Sequence, residues 1–184
     1  MSTRNAAFLD RDGTIIEDVN YIANADDVRL LPQAADAIRL LNEHGVAVVV
    51  ITNQSGLARG LVTPAQYVAV RDRVDATLAA HGAHVDATYY CPHYPDVTGP
   101  CDCRKPGTLL YDRAIADLEL DAASSMFAGD LPRDVIPATK YGGMAFLIGP
   151  PSSAPREDAP PPGTIVVGSL MDAVRRYLAT GTGG

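Results

Sequence analysis

Hydrophobic and polar positions fall into blocks along this chain, and the block lengths separate strands from helices. The apolar run ending Phe8-Leu9 stops abruptly at Asp10-Arg11-Asp12-Gly13-Thr14, which reads as a strand delivering two carboxylates to a glycine turn. Residues 32–45 carry apolar positions at helical spacing, with proline at the start and glycine at the end, and predict an amphipathic helix. The β-branched run 46–51 that follows has no polar face, as expected of a strand covered on both sides, and it ends in Thr52-Asn53-Gln54-Ser55-Gly56. Thr63-Pro64 opens a second helix to about residue 80, with threonine as cap and proline in the first turn. Further strands are predicted at 85–90, 125–130, 144–148 and 164–167, and further helices at 109–118, 134–141 and 170–178.

Strand followed by helix, repeated in this way, predicts an α/β fold: a doubly wound, Rossmann-like parallel sheet with helices on both faces, residues 1–184 forming one domain. The proline-rich stretch 150–162 reads as a surface loop, and 180–184 as a frayed tail.

Composition narrows the function. At 184 residues with 47% hydrophobic content the chain can bury a sizeable core. A net charge of −7 argues against a nucleic-acid surface, so a small anionic substrate would be met by local Lys, Arg, backbone N–H groups and metal. No apolar run approaches the roughly 20 residues that span a bilayer, and the first residues lack a signal-like apolar core, so no membrane partner and a cytoplasmic location are expected. No interface stripe is legible, which is compatible with a monomer. Histidines 44, 81 and 84 fall at predicted helix ends or loops and read as solvated.

Three predicted strands end in chemically useful groups: Asp10 and Asp12, Thr52 and Asn53, and Asp130. In a parallel sheet such ends line one crevice. A carboxylate placed there can accept a phosphoryl group, while a second, two residues on, protonates the leaving oxygen and later deprotonates water. The hard cation Mg²⁺ suits Asp10, Asp130 and a backbone carbonyl. Thr52 and the N–H groups after it suit phosphate oxygens, and Lys105 would neutralise charge during transfer.

Cys91-Pro92-His93 and Cys101-Asp102-Cys103 place three thiols and an imidazole within a short proline- and glycine-containing segment. Cys91, His93, Cys101 and Cys103 match the ligand count of one tetrahedral Zn²⁺ with no vacancy for water, hence a structural site pinning the loop 91–103.

In this order, the Asp-x-Asp-Gly-Thr motif, the Thr after the second strand, the distant Lys and the late acidic motif resemble the haloacid dehalogenase-like phosphohydrolases. The resemblance implies Asp10 as nucleophile, Asp12 as general acid/base that also ligates Mg²⁺ through its carbonyl, Thr52 as phosphate binder, Lys105 as positioning cation, Asp130 as Mg²⁺ ligand and Asp134 as a residue orienting the metal's waters. The zinc loop running into Cys103-Arg104-Lys105-Pro106 is similar to one branch, the heptose-bisphosphate and histidinol-phosphate phosphatases. From it follow Asn53, Gln54, Ser55, Arg59 and Arg104 as substrate contacts, a phosphorylated sugar as substrate, and no large cap domain. Leu131 stands where the branch commonly has Lys. Competing readings are hydrolysis of histidinol phosphate, a non-catalytic zinc-loop binding module, and transfer of the phosphoryl group to an alcohol.

Overall fold

The computed structural model of the chain describes residues 3–149 and 159–181. Most of the proline-rich loop, at 150–158, and the tail at 182–184 lie outside the described residues. Six strands form one parallel sheet: β1 (Arg4–Leu9), β2 (Ala47–Asn53), β3 (Ala87–Cys91), β4 (Leu120–Gly129), β5 (Met144–Ile148) and β6 (Ile165–Val167), in the order β3-β2-β1-β4-β5-β6. The helices are α1 (Ala34–Glu43), α2 (Pro64–Ala80), α3 (Pro95–Thr98), α4 (Leu109–Leu118), α5 (Pro132–Val135), α6 (Ala138–Tyr141) and α7 (Leu170–Ala179), with a 3₁₀ turn at Ala25–Asp27.

The sheet sorts its side chains by strict alternation. Ala7, Leu9, Val48 and Val50 face one core with Ile38 and Leu41 of α1, Val70 and Leu78 of α2, and Val174 and Tyr177 of α7. Ala6, Phe8, Val49 and Ile51 face the other, with Leu110 and Tyr111 of α4 and Phe127 of β4. Phe8 and Phe127 stack with centroids 4.8 Å apart. Burial on both faces is why β2 reads as an unbroken apolar run.

The predicted threonine cap of α2 is present as a reciprocal pair: the Gln66 N–H donates to Thr63 Oγ1 at 3.2 Å, and the Thr63 N–H donates to Gln66 Oε1 at 2.8 Å. Two expectations are corrected. The helix expected over 134–141 is two short ones, because Pro137 has no N–H to continue the ladder. The strand expected from 125 begins at Leu120, where Glu119 in the left-handed conformation ends α4 and turns the chain directly into the sheet.

That early start is accommodated by a shift of the β1–β4 register between Asn5 and Ala7. Buried Ser125 fills the mismatch: its Oγ accepts from the Ala6 N–H at 2.8 Å and donates to the Asp121 carbonyl at 2.5 Å. Ser125→Ala therefore leaves a buried N–H and a carbonyl unpaired. It should destabilise the fold by about 1–3 kcal/mol in chemical denaturation, without changing turnover, since Ser125 lies away from the strand ends that carry the acids.

Candidate active site

Strand order reverses direction on either side of β1, and the crevice opens at the carboxyl ends of β1, β2 and β4. The register delivers the acids there. Leu9 is level with Val50 and Ala128, and the Asp10 N–H donates to the Ala128 carbonyl at 3.0 Å, so Asp10, Thr52 and Asp130 leave the sheet side by side. Asp10, Asp12, Thr52, Asn53, Gln54, Ser55, Arg59, Arg104, Lys105 and Asp130 all line one cavity of about 300 Å³.

At its floor Lys105, almost fully buried, donates from Nζ to Asp10 Oδ1 and to the Ile51 carbonyl, each at 2.7 Å, and pairs with Asp134 Oδ1 at 2.7 Å. Asn53 fixes the Lys105 backbone from both sides: its Oδ1 accepts from the Lys105 N–H at 3.0 Å and its Nδ2 donates to the Lys105 carbonyl at 3.2 Å. Gln54 Nε2 donates to both Asp12 Oδ2 and Thr52 Oγ1 at 2.9 Å. The structure thus turns Asn53 toward Lys105, and Gln54 toward Asp12 and Thr52.

Carboxylate oxygens of Asp10, Asp130 and Asp134 lie within 4.8 Å of one another. Burial pushes the Asp10 carboxyl up to about 8 against the pull of the Lys105 cation, with Asp134 and Asp12 adding to the rise. Burial, then Asp134, raises Asp130 to about 6. Burial alone would lower the Lys105 pKa, but Asp10 and Asp134 outweigh it and hold the pKa above its ordinary value. Three acids around one lysine leave an excess of negative charge, and Asp130 Oδ1 is buried without a hydrogen-bond partner. This all-oxygen donor set fits a hard divalent cation such as Mg²⁺.

Two glycines make the cluster possible. A Cβ on Gly13, which has φ of +79°, would lie 2.5 Å from Asp130 Oδ2. One on Gly129 would lie 2.3 Å from the Asp134 Cβ.

Beside the cavity the four donors of Cys91, His93, Cys101 and Cys103 converge. Cys91 Sγ is 3.7 Å from Cys101 Sγ and 2.9 Å from Cys103 Sγ, Cys103 Sγ is 3.5 Å from Cys101 Sγ, and His93 Nδ1 is 3.2 Å from Cys103 Sγ and 3.8 Å from Cys91 Sγ. None of the cysteines is in a disulfide. Spacings near 3.7 Å are the edges of a tetrahedron around an ion with metal–sulfur bonds of about 2.3 Å, so three soft sulfurs and an imidazole fit Zn²⁺.

Above the floor, Arg59 lies between the rings of Tyr21 and Tyr94, 5.2 and 4.9 Å from their centroids, and donates to the Tyr21 hydroxyl. Arg104 lies 6.0 Å from the Tyr94 centroid. Leu131 lines the same cavity and so does Arg133, whose Nε is buried without a partner. Sequence reading missed Arg11, Tyr21 and Tyr94. A guanidinium between two acids was the available signal for Arg11; for the tyrosines there was none, because only tertiary folding brings their loops together.

The profile of the family described as polynucleotide kinase 3 phosphatase matches residues 5–140. The D-glycero-beta-D-manno-heptose-1,7-bisphosphate 7-phosphatase of Haemophilus ducreyi is 35% identical over 176 residues, 93% of this chain and 97% of that protein. The enzyme of the same name from Escherichia coli K12 is 42% identical over 137 residues, 71% of each chain. The crystal structure of the D,D-heptose 1,7-bisphosphate phosphatase from B. bronchiseptica, complexed with magnesium and phosphate, superposes with a TM-score of 0.85 at 34% identity, covering 96% of this chain and 99% of that one.

Fold, strand-end acids and these likenesses define a phosphoric monoester hydrolase of the haloacid dehalogenase-like class. Within that class the chain belongs to the family of the D-glycero-beta-D-manno-heptose-1,7-bisphosphate 7-phosphatases.

Proposed function

We propose that this chain hydrolyses D-glycero-D-manno-heptose 1,7-bisphosphate to the 1-phosphate, with Mg²⁺ as cofactor and Asp10 as the transient carrier of the phosphoryl group. The carrying observation is Asp10 itself, emerging at the sheet's switch point with Lys105 Nζ at 2.7 Å and two further acids in reach.

Asp10 Oδ attacks phosphorus in line with the ester oxygen. The P–O bond to the sugar breaks, and Asp12 gives its proton to the departing alkoxide. In the second half, water attacks the phosphoryl group, Asp12 takes its proton, and orthophosphate leaves as the Asp10 carboxylate re-forms. Thr52 Oγ1 and the N–H groups after β2 hold the phosphoryl oxygens, and Lys105 balances charge on them. Asp10, Asp130 and the Asp12 carbonyl would hold Mg²⁺, with Asp134 orienting its waters; when bound, the ion neutralises the crowded carboxylates and phosphate, allowing anion to approach anion.

The second phosphate and sugar hydroxyls fall to Ser55, Arg59 and Arg104 on the cavity wall, with Asn53 and Gln54 keeping Lys105, Thr52 and Asp12 in place behind them. Where Leu131 removes the usual lysine, Arg133 is the cation at the same cavity edge. Cys91, His93, Cys101 and Cys103 would hold a structural Zn²⁺, which when bound would fix the segment that carries Arg104 and Lys105. Three unpaired thiols suit a reducing, cytoplasmic compartment, and among the described residues no helix is long and apolar enough to cross a membrane.

A substrate panel tests this reading: kcat/KM for heptose bisphosphate should exceed that for fructose bisphosphate and histidinol phosphate by at least about tenfold, because buried polar groups discriminate strongly against ligands that leave them unpaired. Preference for histidinol phosphate would transfer the assignment to that ester. Absence of phosphate release with and without Mg²⁺ would favour a binding module.

A further inference from the structure

We propose that Arg11 and Gln54 are positioning residues that hold the Asp12 carboxylate where it takes the proton from water in the second half of the reaction. This rests on the reading of Asp10 as phosphoryl carrier and Asp12 as its acid/base partner.

The Arg11 side chain is only 4% exposed, more deeply buried than the Asp12 carboxylate it serves, which is 22% exposed. A guanidinium is expensive to bury unless paired, and among the described residues the carboxylate paired with Arg11 is that of Asp12. The pairing is a fork: Arg11 Nε lies 3.2 and 3.1 Å from Asp12 Oδ1 and Oδ2, and Nη2 lies 3.0 Å from Oδ1. A fork sets the plane of the carboxylate as well as its place. Tyr67 of α2 backs the guanidinium, its ring centroid 5.9 Å away. The Arg11 carbonyl is fixed too, accepting from the Ile15 and Ile16 N–H groups at 2.9 and 3.1 Å.

Gln54, just past the end of β2, completes the cradle. Its single amide reaches Asp12 Oδ2 and Thr52 Oγ1, both at 2.9 Å, so the proton acceptor and the phosphate-binding hydroxyl are placed by one group. Arg11 Nη1 is left buried without a partner. Filling the space beneath Asp12 would not require a charged residue with an unpaired N–H; fixing the orientation of a carboxylate requires a rigid fork.

The step this orientation serves is hydrolysis of phospho-Asp10. Water oxygen bonds to phosphorus, the P–O bond to Asp10 breaks with its electron pair returning to that carboxylate, and the water proton passes to Asp12. The first half with p-nitrophenyl phosphate needs no proton, because nitrophenolate leaves unaided. Losing the cradle should therefore slow the second half selectively.

The test uses the full chain with Mg²⁺ and p-nitrophenyl phosphate, quenched in acid during turnover, comparing wild type with Arg11→Met, Arg11→Lys and Gln54→Leu. For Arg11→Met we expect kcat and KM to fall together by about 10- to 100-fold, leaving kcat/KM within about twofold because the first half is untouched, and the fraction of enzyme trapped as hydroxylamine-sensitive phosphoprotein to rise several-fold. Gln54→Leu should move the same quantities less. Arg11→Lys, which keeps the charge and loses the fork, should resemble Arg11→Met. Should Arg11→Met fail to fold, Gln54→Leu and Arg11→Lys decide. An unchanged kcat, or a fall with no rise in trapped phosphoprotein, overturns the positioning role. Failure to trap phosphoprotein on wild type, together with an active Asp10→Asn, overturns the underlying reading instead.

Discussion

Asp10→Asn should lower kcat by about 10⁴-fold or more, because the amide cannot accept the phosphoryl group and the residual rate is left to water alone. The same substitution should leave the fold intact. In the absence of metal it should not destabilise the protein above neutral pH. Burial holds the Asp10 carboxyl near 8, against an ordinary value of 3.8. Between those two values the folded chain keeps a proton that the unfolded chain has released, so this residue's contribution to stability declines as pH rises through that window. Asparagine, neutral throughout, escapes the decline, although it gives up the 2.7 Å ion pair to Lys105. The melting temperature of metal-free Asp10→Asn at pH 8 should equal or exceed that of the metal-free wild type. Added Mg²⁺ should raise the melting temperature of the wild type much more than that of the variant, because the variant lacks one of the three clustered acids. Full turnover by Asp10→Asn would remove the nucleophile assignment. A sharp loss of melting temperature without metal would show that Asp10 holds the fold as well as the site.

Burial decides which parts of this molecule were legible from sequence. Strands β1 and β2 are buried on both faces, so their apolar runs are conspicuous and the acids that end them stand out by contrast. Asp10, Thr52, Asp130 and the thiol cluster were therefore readable one segment at a time. What sequence did not reveal depends on contacts across segments. Pro137 divides the expected helix by local chemistry that should have been read. The early start of β4 depends on where β1 lies and on Ser125 bridging the register shift. Spacing placed Asn53 and Gln54 next to Thr52 but said nothing of their direction; the loop carrying Lys105 draws one inward, and Asp12 with Thr52 captures the other. Arg11 was hidden for a different reason. Its neighbours' chemistry drew attention to the acids, whereas its burial beneath Tyr67 emerges only when α2 packs on the sheet.

The zinc loop carries the second large effect, and it couples stability to catalysis. Cys103→Ser retains the size of the side chain but replaces the sulfur that stands 2.9, 3.5 and 3.2 Å from the other three donors. The loop around it has little apolar area to bury. Val97 is exposed, and the short helix α3 contributes no buried residue, so a bound ion would take the place of a core. Loss of a structural zinc ligand should therefore destabilise the chain by about 3–5 kcal/mol, a drop of roughly 10 °C or more in melting temperature, and bound zinc should fall from one per chain to a small fraction. Catalysis should fall as well, since Cys103 is two residues from Lys105. Asn53 fixes only the Lys105 backbone, and the stem that carries its Nζ to Asp10 enters from the zinc loop. Ser125→Ala is the control: it weakens the sheet at a distance from the strand-end acids, and kcat of the folded fraction should remain that of wild type. If Cys103→Ser lowers stability but keeps kcat at saturating Mg²⁺, Lys105 is placed by the sheet alone and the zinc loop serves folding only. If purified protein contains no zinc and Cys103→Ser melts like wild type, the four converging donors are not a metal site.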